Sequence, residues 1–466
     1  MNEFAQFVLS KLHGSVVLIL LAVPLLAVCV LAVYLICKKK QIAFPWKKAV
    51  LWTLLTGYIL SLVYVTLLRG GSAEFRSINM HLFRAWREAW NNYSVKSWLN
   101  VLLNVAMFVP LGVLLPLVFP KLGAWYKSIG IGFCLSLAIE LLQLWFGSGV
   151  SDVDDLFANT LGAVIGYAGI TLVITITRKG KIEWKRGLCC GLVLLLTVGS
   201  IAGIFITYGL KEYGNIPNMA SFRANTSNTN WSLACELPDA PNSMQTYRTQ
   251  TLTNDDCASV AAVFSDTLGI TFDDIQYYDE EAYFMDHGGV NGSQFLIISY
   301  LDGGYDYRGE PWIVDSWANA DRETVIAALE KFPLTIPEKA VFSVDGEGWH
   351  SFTADRLVQG DSIYDGILRC RYAADGKIYV VRNHLISYKP YSQTEIITPQ
   401  EAFDRLCAGD FSGGDPFERR APKDIQVVGA ALEYRIDTKG FYRPVYVFDL
   451  LSTDGTYQAS VMVKAA

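Results

Sequence analysis

Residues 98–119 read W-L-N-V-L-L-N-V-A-M-F-V-P-L-G-V-L-L-P-L-V-F, 22 positions without one Asp, Glu, Lys or Arg. A helix rises about 1.5 Å per residue, so about 20 predominantly apolar residues cross the hydrocarbon of a bilayer. Working outward from this run, five others meet the same test: 15–37, 49–68, 128–146, 156–177 and 188–208. Glu140 and Gln143 interrupt the run at 128–146, and Thr160, Gly162 and Gly166 thin the one at 156–177. The expected fold is thus an α-helical membrane bundle of about six spans over residues 1–210. The first run is too long for a cleaved signal, lacks a basic region before it, and is followed by Lys38, Lys39 and Lys40.

Charge divides the chain at the same place. Residues 1–210 hold 18 Lys and Arg against 8 Asp and Glu, whereas residues 211–466 hold 21 against 37. The acidic half is a poor partner for nucleic acid, which is held by clustered Lys and Arg. It is equally ill suited to lying flat on anionic lipid. Lysines 38–40, 47 and 48, then Lys121 and Lys127, then Arg178, Lys179, Lys181, Lys185 and Arg186 fall in alternate loops. The excess of positive charge in cytoplasmic loops places these inside. The loop 69–97, the loop 147–155 and everything after 210 are then expected outside, which makes a multi-pass protein of the cell membrane with an extracellular C-terminal domain.

Ionisable groups at membrane depth are costly, and they concentrate at functional sites. Glu140 stands six residues before Phe146, about 9 Å below the end of its run. Gln143 lies three residues on, along the same helical face. Asp152, Asp154 and Asp155 follow the next turn, and Asn159 lies one helical turn beyond Asp155. Arg69, Asn79 and Arg84 belong to the preceding loop on the same side. Together these nine residues form a candidate polar pocket at the outer leaflet. A purely structural reading stands beside it: Asp152 or Asp154 caps the helix that follows, and Glu140 pairs with a basic residue such as Arg69.

The motif N-V-A-M-F-V-P-L-G-V-L-L-P from Asn104, S-L-A-I-E-L-L-Q-L from Ser136 and D-V-D-D-L-F-A-N-T-L-G-A-V-I-G-Y from Asp152 resembles the VanZ family of membrane proteins. N-M-H-L-F from Asn79 and the Arg69 that closes the second run fit the same pattern. The likeness covers about residues 50–177. It departs from the family at Gly149, where members commonly carry Arg, and at Leu82, where they commonly carry Pro. The resemblance implies a link to lowered susceptibility to teicoplanin-type glycopeptides in Gram-positive bacteria. It implies no settled reaction.

Beyond Tyr208 the texture changes. Residues 211–250 are rich in Asn, Ser, Thr and Pro and read as a linker. Residues 251–466 read as an extracytoplasmic α+β domain, with a division into two subdomains near 335. Asn254 is placed to cap a helix running to Leu268. Q-F-L-I-I-S-Y-L (294–301) and I-Y-V-V-R-N-H-L-I-S-Y (378–388) read as strands, and 321–332 as a helix. Thr398 and Glu401 make a capping box around Pro399. Three strands follow, in Q-V-V-G-A-A-L-E-Y-R-I, F-Y-R-P-V-Y-V-F-D-L and Y-Q-A-S-V-M-V-K. This ending, about residues 340–466, loosely resembles the extracytoplasmic domains of YycH/YycI-type regulators and PepSY-like modules, which act by protein contact.

Chemistry-bearing patterns are sparse. His287, His350 and His384 are isolated, and no Ser sits in a nucleophile elbow. Cys29, Cys37, Cys134, Cys189 and Cys190 lie in or beside apolar runs and read as small hydrophobes. Cys235, Cys257, Cys370 and Cys407 lack zinc-ligand spacing, and outside a cell they would allow three disulfide pairings. No cofactor and no metal are expected. The partners expected are membrane lipids, a cell-wall precursor or glycopeptide, and an extracytoplasmic protein. Three roles follow in order: an envelope-binding protein, an accessory regulator of a sensor kinase, and an enzyme on a lipid-linked substrate.

Overall fold

The computed structural model describes residues 34–35, 37–41, 43–68, 78–147, 151–177, 184–219, 223–278, 280–288, 293–309, 316–345, 347–412, 422–455 and 457–466. Most of the run 15–37, together with Arg69 and Gly149, lies outside them. The chain divides into two compact units, residues 1–89 with 97–211, and residues 90–96 with 212–466.

Among the described residues of the first unit, five helices are long and apolar enough to cross a membrane. They are α1 (Trp46–Val63, continued by a π-helical turn Tyr64–Leu68), α3 (Val95–Val118), α4 (Trp125–Phe146), α5 (Val153–Thr177) and α6 (Trp184–Leu210). The short helix α2 (Arg84–Asn92) lies between α1 and α3 in the chain. Leu62, Phe108, Leu111, Leu115 and Ile139 form a buried cluster joining α1, α3 and α4.

Small residues set the closest approach. A Cβ added at Gly162 would lie 2.0 Å from the Val105 carbonyl oxygen, and one at Gly166 would lie 2.1 Å from that of Val109. From the other side, a Cβ on Gly112 would meet the Ala163 carbonyl oxygen at 2.2 Å. The backbones of α3 and α5 therefore touch directly, as the spacing of Gly162 and Gly166 implies. Lipid tails are as apolar as Leu, so association in a bilayer depends on such close packing.

The second unit is largely β-sheet. Thirteen of the described strands join in one sheet, whose main path runs β3 (Asn230–Leu233), β13 (Asp424–Ile436), β14 (Phe441–Ser452), β4 (Ser243–Thr249), β12 (Ile378–Glu395), β8 (Tyr305–Arg308), β7 (Gln294–Ser299), β6 (Glu281–Asp286) and β5 (Asp274–Tyr277). The hub is β12 (Ile378–Glu395). It pairs along 363–372 with β11 (Ser362–Tyr372), and on its other edge with β8 (Tyr305–Arg308) and β4 (Ser243–Thr249). Three helices accompany the sheet: α7 (Asn254–Leu268), α8 (Arg322–Leu329) and α9 (Pro399–Cys407).

Two expectations for this half need correction. Residues 230–233 and 243–249, taken from composition as linker, are the strands β3 and β4. Their Ser and Thr are used as hydrogen-bonding groups inside the sheet: Thr246, fully buried, donates to the Ser392 carbonyl at 2.8 Å. Nor does the core divide near 335. Val325 and Leu329 share one core with Phe352, Leu368 and Val381, whereas Ala402, Leu406, Ile425, Phe448 and Val461 form another. The change of core falls where β12 ends.

At the level of elements, 294–299, 322–329 and 378–395 are strand, helix and strand, and β13 (Asp424–Ile436), β14 (Phe441–Ser452) and β15 (Gln458–Lys464) form the meander. Thr398 caps α9 by accepting from the Glu401 amide at 3.1 Å, but the Glu401 carboxylate turns to Arg405 instead of closing a box. The cap of α7 is Thr253, one residue before the position expected, because Thr253 and Asp256 satisfy each other's amides. Cys235, Cys257, Cys370 and Cys407 are free thiols, and Cys257 and Cys370 are buried in the first core.

The glycine contact gives a direct test. Gly166→Ala should lower the midpoint of thermal unfolding in non-ionic detergent, by an overpacking cost of about 1–3 kcal/mol. Gly57→Ala, which meets nothing within 4 Å, should leave it unchanged or slightly raised. Equal behaviour of the two variants would show that the α3–α5 contact does not limit stability.

Candidate functional site

The site is built at the turn between α4 and α5. Gly147 ends α4 in the left-handed conformation, with φ of 65°. Ser151 and Asp152 then form a short strand β2, parallel to β1 (Ile78–Asn79), so that Asn79 lies opposite Asp152. The Asn79 amide donates to Asp152 Oδ2 at 3.0 Å. The other oxygen of Asp152 accepts the Asp154 amide at 2.8 Å, which caps α5. Glu140, 5% exposed, reaches from α4 and accepts the Asp152 amide at 2.9 Å.

Asp154 is 1% exposed and caps a different helix. Its two oxygens accept the amides of Phe83 and of Ala85, the latter at 2.7 Å. Phe83 is the residue before α2 and Ala85 lies in its first turn, where a carboxylate also meets the positive end of the helix dipole. Phe83 adopts φ of 66°, a conformation rare for a bulky residue. The Asp154 bonds and the edge contact of Phe83 with Phe157, at 5.1 Å between ring centres, hold it there.

Asp155 accepts a hydrogen bond from the side-chain amide of Asn104. Beside this pair lies a cavity of about 130 Å³ whose polar lining comes from Glu88, Ser97, Asn100, Asn104, Asp154 and Asp155, with Trp86 on the wall. Arg84 bonds Glu88 at 2.8 Å across one helical turn, with both side chains partly exposed.

Of the residues named from sequence, Asp154 and Asp155 line this cavity. Glu140, Asp152 and Asn79 form the adjoining cluster, which ties α4 and β1 to the residue before α5. Gln143 points elsewhere and donates to the Thr66 carbonyl at 2.9 Å, against the π-helical turn. Asn159 bonds Ser136 at 2.9 Å between α5 and α4, and its enclosed oxygen has no hydrogen-bond partner among the described residues. Arg69 lies outside the described residues. Glu88, Asn100 and Asn104 are lining residues that sequence reasoning missed. The signal was present for two of them: Asn100 and Asn104 are one turn apart in a run otherwise free of amides and charges.

The lining is rich in acceptors. Its three carboxylates accept only, while the Ser97 hydroxyl and the Asn100 and Asn104 amides can each accept or donate, Asn104 already donating to Asp155. Such a lining suits a small group that donates hydrogen bonds: a hydroxyl, an amide or an ammonium. Among the described residues no three His, Cys, Asp or Glu are grouped to hold a metal ion.

Replacing Asp154 tests its assignment as a cap. Asp154→Ala should speed hydrogen exchange at the Phe83 and Ala85 amides, since each bond to a charged acceptor is worth about 1.5–3 kcal/mol. Asp155→Asn should leave those two amides protected. Unchanged exchange in Asp154→Ala would remove the cap from the account.

Residues 46–174 match the VanZ/LLP1 family model. A stretch of 63 residues is 35% identical to "Protein VanZ" of Enterococcus faecium, covering 14% of this chain and 38% of the relative. The chain thus spans well under half the length of that curated relative. Among solved structures, the Bacillus megaterium YpeB C-terminal domain aligns over 46% of this chain and 94% of its own, at 9% identity and a TM-score of 0.16, a likeness too slight to assign a fold. The matched span takes in α1 to α5 and every residue of the turn and the cavity, and on that ground the chain is a membrane protein that carries a VanZ-like segment.

Proposed function

We propose that the VanZ-like segment binds the polar part of an envelope lipid or cell-wall precursor at the outer leaflet. The host thereby becomes less susceptible to teicoplanin-type glycopeptides. The observation that carries this reading is the small carboxylate-rich cavity between α2, α3 and the start of α5, with Glu88, Asp154 and Asp155 on its wall. Its placement on the outer side follows from the lysine-rich alternate loops. The second, acidic half is then extracellular.

The cavity admits one small group and not a whole headgroup. Binding would therefore be selective for how a hydroxyl, amide or ammonium is presented at the membrane surface. A site built to satisfy such a donor rejects an analogue that lacks it, because its own buried acceptors are then left unpaired. Trp86 offers the apolar wall that aligns the group. Retention or altered display of the precursor would change what a membrane-associating glycopeptide meets.

The test is the inhibitory concentration of teicoplanin and of vancomycin for a susceptible Gram-positive host expressing the full chain, Asp155→Asn or Glu88→Gln. The full chain is expected to raise the teicoplanin value several-fold and leave vancomycin near baseline. Each variant, at matched membrane abundance, is expected to abolish most of the rise. A full rise in both variants would remove the cavity from the mechanism. No rise with the full chain would remove the resistance reading itself.

A further inference from the structure

The second unit is acidic as a whole, yet one face of its sheet gathers arginines. Trp349 on β10 (Trp349–Gln359) lies opposite Arg371 on β11, and Arg369 on β11 lies opposite Arg382 on β12. The alternate residues His350, Cys370 and Val381 point into the core, so Trp349 and the arginines share the other face. Three guanidinium carbons lie over the Trp349 ring, Arg369 at 4.8 Å, Arg382 at 5.0 Å and Arg371 at 5.3 Å from its centre. Arg371 also lies 4.4 Å from the centre of the Trp317 ring, between the two indoles. Arg308, one strand further, stacks on Phe295 at 5.9 Å.

This arrangement works against stability. Like charges directly opposite each other on neighbouring strands destabilise a sheet, and Arg369 and Arg382 are such a pair. The indole faces offset part of the repulsion. Asp345 bridges to Arg369 at 3.1 Å, and Asp306 on β8 lies opposite Arg382 but is held by His384 at 2.9 Å, so two carboxylates stand against three arginines. Arg371 spends one nitrogen on the Glu347 carbonyl, and Arg382 is exposed. The arrangement is left with fixed, preorganised forks and excess positive charge.

We propose that this face is a docking surface for a linear, base-free phosphodiester polymer. The guanidinium fork matches phosphate oxygens in pairs. Arginines two residues apart on one strand are separated by about 7 Å, and those on adjacent strands by about 4.8 Å, a ladder along which successive phosphates can be met. An anionic bilayer fits less well, because it would also meet the surrounding unit, where 37 acidic residues outnumber 21 basic ones over residues 211–466. A narrow chain touches the stripe alone. Nucleic acid fits less well because base stacking needs free aromatic faces, and those of Trp349 and Trp317 are covered by guanidinium groups.

The test uses the full chain in non-ionic detergent and a fluorescein-labelled glycerol phosphate decamer, followed by anisotropy. Binding is expected, with log affinity falling linearly as log salt rises. Arg382→Gln and Arg371→Gln should each weaken it about tenfold and lower the salt slope by about 0.7 for each phosphate no longer neutralised. Arg382→Gln, at an exposed position, should leave thermal unfolding unchanged or slightly raised, since it removes one of two like charges that face each other. Affinity unaltered in both variants would overturn the proposal. So would equal binding of a glutamate decamer, which would make the partner an acidic peptide, or of oligothymidylate, which would make it nucleic acid. Displacement at equal phosphate by phosphatidylglycerol vesicles or by inorganic phosphate would likewise overturn it, in favour of a membrane or a single anion.

Discussion

The two hydrogen bonds that Asp154 accepts from Phe83 and Ala85 are the constraint on which the VanZ-like site depends. They tie the start of α2, which has no apolar length of its own to anchor it, to the first turn of a membrane helix. Without them the Phe83 backbone would keep only the edge contact with Phe157 to offset its left-handed conformation. The cavity would also lose the wall that carries Trp86 and Glu88. The acid is thus spent on architecture, and Asp155, one residue on, is the neighbour left facing the cavity with a single amide partner.

That division of labour was only partly legible in the sequence. Helices with a chemical signature as strong as residues 98–119 are visible because burial in lipid demands it. The glycine spacing in α5 marked the close contact, and the cluster of Glu140, Asp152, Asp154 and Asp155 marked the end of the bundle where the site lies. Direction was not legible. Gln143 shares a face with Glu140 by spacing, yet turns to a carbonyl that a π-helical turn presents. Asp154 looked like a cap for its own helix and caps another, because the short β1–β2 pairing that brings residues 78–79 beside 151–152 is too brief to carry a pattern.

In the sheet half the same limit shows differently. A strand-like pattern located β7, β12 and the C-terminal β13 to β15, and Thr398 with Pro399 located α9, but the 11-residue strands β10 and β11 were not read from the sequence. The strands β3 and β4 escaped because their Ser, Thr and Asn are polar for a reason composition does not reveal. Thr246 is fully buried and bonded to the neighbouring strand, so its side chain behaves as part of the ladder. The change of core was likewise invisible in the sequence, because it depends on β12, an 18-residue strand that pairs on one edge with β8 and β4 in succession.

A buried acid and an exposed base are informative by opposite arguments. At the α4–α5 turn nearly every carboxylate oxygen has an amide to accept, so the cluster is stable as it stands and only the cavity lining retains capacity for a ligand. On the sheet face the arginines are over-supplied with positive charge and under-supplied with acceptors, so that surface is at its most stable when an anion is added. The first arrangement would select a small donor by enclosing it; the second would hold an extended acceptor by repetition. Neither needs a nucleophile, a metal or a cofactor, and both place recognition on backbone-fixed elements whose side chains lose little freedom on binding.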